Sequence, residues 1–143
     1  DYWMLDQGFL KRELYGDLRD LIARRHAENA TVTIGPNDTL NTAYSRMKLY
    51  DISQLPVLDG QTIVGFIDES DILLSIYGKE ENFKGPVSGA MIKKVETIDR
   101  KGKLADLMPI FDKGNTAVVV DGAKFLGLIT RIDLLNYLRR SMK

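Results

Sequence analysis

The stretch from Val32 to Tyr77 recurs from Glu96 to Leu138, and this duplication constrains the fold more than any other feature of the chain. Thr33, Ile34 and Leu40 meet Thr97, Ile98 and Leu104 at one offset. Val57, Asp59, Gly60, Gly65, Ile67, Asp71 and Leu73 meet Val119, Asp121, Gly122, Gly127, Ile129, Asp133 and Leu135 at an offset two residues shorter, so two residues are missing ahead of the second Val-Val-Val run. Half of a 143-residue chain buries too little apolar surface to stand alone. The copies are therefore expected to pack face to face as a pseudo-two-fold pair, burying both sheets and leaving two related clefts.

Each copy reads strand, helix, strand, turn, strand, helix, which predicts an α/β (α+β) fold. In the first, Val32 to Ile34 is a short extended piece, and Asp38 is placed to cap a helix from Thr39 to Tyr50 with Leu40, Ala43, Tyr44 and Met47 on one face. Leu55 to Leu58 and Thr62 to Ile67 predict a hairpin around Asp59-Gly60, followed by a helix from Glu69 to Ile76. The second copy repeats this: Leu104, Leu107, Met108 and Phe111 face inward on its first helix, Ala117 to Val120 and Phe125 to Ile129 flank Asp121-Gly122, and a last helix runs from Arg131 to Arg140. Residues 1–30 read as a linker with a helix from Tyr15 to Arg25 that buries Leu18, Leu21 and Ile22 behind an Asp17 cap. The repeats then occupy 31–80 and 94–143, and the charged, glycine-punctuated stretch 81–93 joins them.

Composition narrows the function. The 20 basic and 20 acidic residues cancel, so no global field gathers polyanions, and nucleic acid is not an expected partner. Without cysteine, and with His26 as the single histidine, no thiolate nucleophile and no zinc site of the usual composition can be built. No apolar run approaches the roughly 20 residues that span a bilayer, so no membrane is expected and the chain reads as cytoplasmic. It opens at Asp1-Tyr2-Trp3 without an initiator methionine and reads as part of a longer polypeptide. Tyr2, Trp3 and Phe9 would dock a catalytic domain or a second subunit, whereas the pairs Arg24-Arg25, Lys93-Lys94 and Arg139-Arg140 read as solvated ends.

The pattern richest in chemistry is Gly-x-x-Thr-x-x-Asp at Gly127, Thr130 and Asp133, where a strand hands over to a helix. A helix N-terminus offers unpaired backbone N–H groups and partial positive charge. There Thr130 can bond a hydroxyl or phosphate, and Asp133 can accept both hydroxyls of a ribose. The simpler reading is a capping box; recurrence of its glycine and last aspartate, as Gly65 and Asp71, beside the same hairpin in the first copy favours a ligand.

The duplicated unit ending in this motif resembles the CBS domain, which works in pairs as a Bateman module, over about Thr31 to Arg140. The resemblance implies clefts for adenosine-containing effectors, S-adenosylmethionine, AMP or ATP, whose binding state passes to an attached protein. Trp3-Met4 with Gly8-Phe9-Leu10 further resembles the segment that joins the catalytic and regulatory regions of cystathionine β-synthases, and Thr130 with Ile132 to Tyr137 resembles their last CBS helix. That implies a non-catalytic regulatory part of a pyridoxal-phosphate-dependent lyase, with its own catalytic domain as partner, no cofactor in this stretch, and a homodimer of the kind common in the family.

Carried over residue by residue, the resemblance puts Thr130 and Asp133 at the ribose, with Leu128 and Ile132 lining the first cleft. Ile52, Ser53, Gln54 and Leu55 then face the adenine, and Thr31 and Val32 close the other side. Core packing for Ile52 and Leu55, and a solvated loop for Ser53 and Gln54, are the alternatives. The second cleft departs from the family pattern: Asp68 stands where threonine is usual, with Asp71 one turn on and Val95, Asn115, Thr116, Ala117 and Lys94 opposite. A carboxylate about 4 Å from a phosphate costs roughly 4 kcal/mol at an effective dielectric near 20. AMP and ATP should avoid that cleft, while S-adenosylmethionine need not. The functions that follow are an adenosyl sensor or, in view of Asp68, a ligand-free assembly module; a stand-alone enzyme has no catalytic constellation to support it.

Overall fold

The computed structural model describes residues 17–22 and 31–142. The Trp3 to Leu10 segment, Arg24-Arg25, His26 and most of the expected linker 1–30 lie outside the described residues. The fold is α/β, and the chain divides into two compact units, Val32–Val95 and a second formed by Asp1–Thr31 together with Glu96–Lys143. Among the described residues no helix is long and apolar enough to cross a membrane.

In the first unit α1 (Leu40–Tyr50) leads into an antiparallel hairpin, β1 (Gln54–Asp59) and β2 (Thr62–Asp68), and then α2 (Glu69–Ile76). Ile34, Leu40, Ala43, Met47, Leu55, Val57, Ile67, Ile72 and Val87 form its core. In the second unit β3 (Thr97–Asp99) lies parallel to β4 (Ala117–Asp121), β5 (Lys124–Ile129) returns antiparallel to β4, and α3 (Leu107–Asp112) and α4 (Arg131–Ser141) complete the repeat. Its core joins Ile98, Leu107, Phe111, Val119, Ile129, Leu134 and Tyr137 with Leu18, Leu21 and Ile22. Both hairpins close through a glycine with positive φ, Gly60 at 65° and Gly122 at 62°, which only a residue without Cβ adopts cheaply. A register shift falls at Val57/Leu58 in one hairpin and at Val119/Val120 in the other, so the repeat extends to the irregularity of its strands.

Several local expectations are corrected. The cap of α1 is Thr39, whose Oγ1 accepts the Thr42 N–H at 3.1 Å; Asp38 sits one residue early and accepts from Gly35 N at 2.8 Å. The extended piece from Val32 to Ile34 shrinks to one parallel bridge between Ile34 and Val57. Prolines explain this. A longer ladder needs N–H groups at positions 36 and 56, and both are proline; at the repeat-equivalent of Pro36, Arg100 donates to the Val120 carbonyl at 2.9 Å. Pro109 similarly removes a donor near the start of α3, so the helix opens as a 3-10 turn over Leu104–Asp106. Met108 there is exposed, with Ile110 buried in its place, and Tyr44 on α1 is also exposed, resting against Phe83 with ring centroids 5.7 Å apart. In the expected helix from Tyr15 to Arg25, the described part is one 3-10 turn, Leu18–Leu21, capped by Asp17, with Ile22 already extended.

The joining stretch 81–93 is not a loose tether. Leu40 N donates to Gly85 O, Val87 N to Asp38 O and Ser88 N to Pro36 O, and Val87 is fully buried in the first core. Ile92 exchanges both backbone hydrogen bonds with Phe66, adding one residue of edge to β2. Gly65 makes this possible, because a Cβ there would stand 2.6 Å from the Ile92 carbonyl oxygen.

Candidate functional site

The two candidate half-sites arise from the same local construction, a strand ending at a capped helix. In the second unit β5 stops at Ile129, Thr130 takes extended geometry (φ −102°, ψ 170°), and α4 begins. Thr130 N and Oγ1 both donate to Asp133 Oδ2, at 2.8 and 2.9 Å, while Asp133 N donates to Thr130 Oγ1 at 3.4 Å. The capping box is therefore real. It leaves Asp133 Oδ1 without a hydrogen bond among the described residues, on a side chain that is half-buried rather than sealed in. One carboxylate oxygen is fixed by the helix end and the other is available to accept a hydroxyl. Leu128 is half-buried beside it and Ile132 is exposed.

The equivalent turn of the first unit pairs two carboxylates. Asp71 N donates to Asp68 Oδ1 at 2.8 Å and Asp68 N to Asp71 Oδ2 at 2.9 Å. Burial, and after it the adjacent Asp68 side chain, push the Asp71 carboxyl above its ordinary value, against the Asp68 N–H that favours the charge. The helix is as well capped as its counterpart, yet the surface it presents is acidic where the other offers a hydroxyl.

The segment expected at the adenine leaves α1 through Asp51, a left-handed residue (φ 54°, ψ 51°). Ile52 is half-buried with its N–H on Met47 O, and Ser53 and Gln54 are exposed, Ser53 O accepting from Glu69 N at 3.3 Å. Leu55 is fully buried, so its side chain serves the core. Thr31 and Val32 are half-buried, and Val32 packs on the first core. Of the second set, Lys94 and Asn115 are exposed, Val95 and Thr116 half-buried, and Ala117 fully buried at the start of β4.

Two features escaped the sequence reading. A groove of about 800 Å³ runs between α1 and α2, lined by Tyr44, Lys48, Ile52, Glu69, Leu73 and Phe83 among others, so that Ile52 borders a depression as well as a strand entrance. The sequence signal for it is the periodicity of α1, which sets Tyr44 and Met47 on the inward face, and both line the groove. The other is an ion network, in which Arg100 Nη1 bonds Asp17 Oδ2 at 2.7 Å and Arg100 Nε stands 3.4 Å from Asp121 Oδ2. Asp17 and Arg100 are 83 residues apart, and no local pattern announces such a pairing.

The family model for the CBS domain matches residues 18–78 and 87–140. A cystathionine β-synthase of Dictyostelium discoideum is 27% identical over 158 aligned residues, covering 100% of this chain and 31% of its own length. An uncharacterized protein of Methanocaldococcus jannaschii is 35% identical over 106 residues, covering 72% of this chain and 34% of its own. The chain thus spans about a third of the length of these curated relatives. Among solved structures, CBSX2 in complex with AMP superposes with a TM-score of 0.75 at 17% identity, covering 89% of this chain and 98% of that one. A CBS domain-containing protein of unknown function from Bacillus anthracis gives 0.74 at 20%, covering 88% and 94%.

Proposed function

The chain belongs to the CBS-domain family as a tandem pair, and from that membership we propose that it is a regulatory module whose effector is an adenosyl compound: AMP, ATP or S-adenosylmethionine. The observation that carries this reading is Asp133, which closes the capping box of α4 through one oxygen and leaves the other without a hydrogen bond among the described residues, where a ribose hydroxyl would bind. Thr130 orients that carboxylate, Leu128 and Ile132 supply apolar contact, and Ile52, Ser53, Gln54 and the Leu55 backbone take the adenine, with Thr31 and Val32 beside them. The similarity to CBSX2, which was solved with AMP, supports an adenosyl ligand.

The Asp68–Asp71 turn, with Lys94, Val95, Asn115, Thr116 and Ala117 as its counterpart, is proposed to refuse phosphorylated ligands. This same turn favours a second reading, a ligand-free assembly module, which predicts no response to any adenosyl compound. The module itself is non-catalytic; its proposed partner is a pyridoxal-phosphate-dependent catalytic domain of the cystathionine β-synthase kind, supported by the relative that matches the whole chain. Self-association as a homodimer is proposed from the exposed Leu49, Leu73 and Leu74 on the first unit's helices and Tyr77 just past the end of α2.

Thermal unfolding with AMP, ATP, S-adenosylmethionine and adenosine tests the reading. At about 100 times the dissociation constant a ligand adds roughly 2.7 kcal/mol, a rise in midpoint on the order of 5 to 10 °C. A rise with at least one compound is expected; no rise with any of the four supports the assembly module instead.

A further inference from the structure

Leu18–Ile22 opens the first CBS match and precedes the duplicated stretch that begins at Val32, but it packs with the second copy. Leu18, Leu21 and Ile22 share a buried cluster with Ile129, Leu134 and Tyr137, and the turn they form lies against both β5 and α4. Ile129 and Leu134 are the buried residues immediately flanking the Thr130–Asp133 box. The segment is also tied down by charge and backbone. Leu18 N donates to Arg100 O at 2.8 Å, Arg100 Nη1 bonds Asp17 Oδ2 at 2.7 Å, and Asp121, at the hairpin end of β4, holds the guanidinium from its other side. Asp17 Oδ1 further accepts Arg19 N at 2.9 Å, and the Asp17 side chain is only 6% exposed.

We propose that the Asp17–Arg100–Asp121 network is an anchor through which the segment ahead of the duplicated stretch reports the state of the α4 N-terminus, making it the output of the site in the second repeat. The regulatory half of this proposal rests on reading Thr130 and Asp133 as the ligand site. The physical path is short. A ligand that fixes Thr130 and Asp133 fixes the junction between Ile129 and Leu134, and Leu18, Leu21 and Ile22 pack on both sides of that junction. Coupling of this kind is reciprocal, so loosening the anchor must weaken the ligand by the factor by which the ligand tightens the anchor. Asp17 is suited to hold the anchor shut: burial opposes its charge, but hydrogen bonds from Arg19 and Arg100 outweigh it and keep the carboxyl below the ordinary aspartate value.

Residue-resolved amide hydrogen exchange on the whole chain tests this. Arg100→Gln is expected to accelerate exchange at Leu18 about tenfold or more while amides of β4 keep their rates, and Asp121→Asn, a milder change at the outer pair, to accelerate it less. Unchanged exchange at Leu18 in both variants overturns the anchor. Thr130→Val, which removes the hydroxyl from the capping box without touching Leu18, is expected to accelerate Leu18 relative to β4; indifference of Leu18 overturns the relay. With AMP as the probe, Arg100→Gln is expected to weaken binding about fivefold, the lower end of usual coupling factors, and AMP to slow Leu18 exchange by the same factor. AMP that binds without slowing Leu18 overturns the relay, whereas failure of AMP to bind while Leu18 still answers to Thr130→Val strikes the ligand reading alone.

Discussion

Asp68 and Asp133 occupy equivalent turns, but one is the cap itself and the other the capping partner of a threonine, and the difference sets what each turn can accept. Asp68 forces two carboxylates together, and the raised Asp71 value means that ionising Asp71 costs stability in the folded state. That cost is absent below the ordinary aspartate value of about 3.9 and appears as pH rises through the elevated folded value. Asp68→Thr should therefore increase stability at pH 7 relative to pH 3 by under about 1 kcal/mol, since both groups are partly exposed and screened. Urea unfolding at the two pH values measures this; an unchanged difference would place the whole of the Asp71 shift in burial. Asp68 was legible in the sequence as a departure and as a cap, because both readings need only the repeat alignment. What the sequence could not give was the division of labour within Asp133, one oxygen on the helix and one without a partner among the described residues, since that depends on rotamer.

At the scale of elements, periodicity and turn chemistry located both hairpins and the helices that follow them, with α2 at its expected ends and α4 one residue longer. The misplaced details share a cause, that backbone donors decide boundaries more finely than side-chain pattern does. Asp38 and Thr39 are both good caps by type, and the choice fell to Thr39 because the Asp38 carboxylate is taken by Gly35 N. Thr39→Ala should accordingly destabilise the chain by about 1 kcal/mol in urea unfolding, and a negligible loss would return the cap to Asp38. Prolines at 36 and 56 reduce a strand to a bridge, and Pro109 turns the start of a helix into a tighter coil. The residues 81–93 looked like a spacer from their charge and glycines, yet their backbone satisfies donors and acceptors around the start of α1 and the edge of β2. Such pairings join distant parts of the chain and leave no local signature.

For the whole molecule, the duplication was the strongest statement the sequence made, and it survives as two units with matched hairpins, matched bulges and matched capped helices. It did not foretell that residues 17–22 belong with the second copy, because that assignment rests on an ion pair across 83 positions and on three apolar side chains whose spacing announces a buried face but not what covers it. The central claim, that the capped turn of the second repeat holds an adenosyl ligand, is tested most directly by isothermal titration of AMP into the wild-type chain and into Asp133→Ala. Saturable binding by the wild type, weakened in the variant by on the order of 1.5 to 3 kcal/mol as befits hydrogen bonds to a charged group, is the predicted result. Equal affinity in the two proteins would contradict the claim.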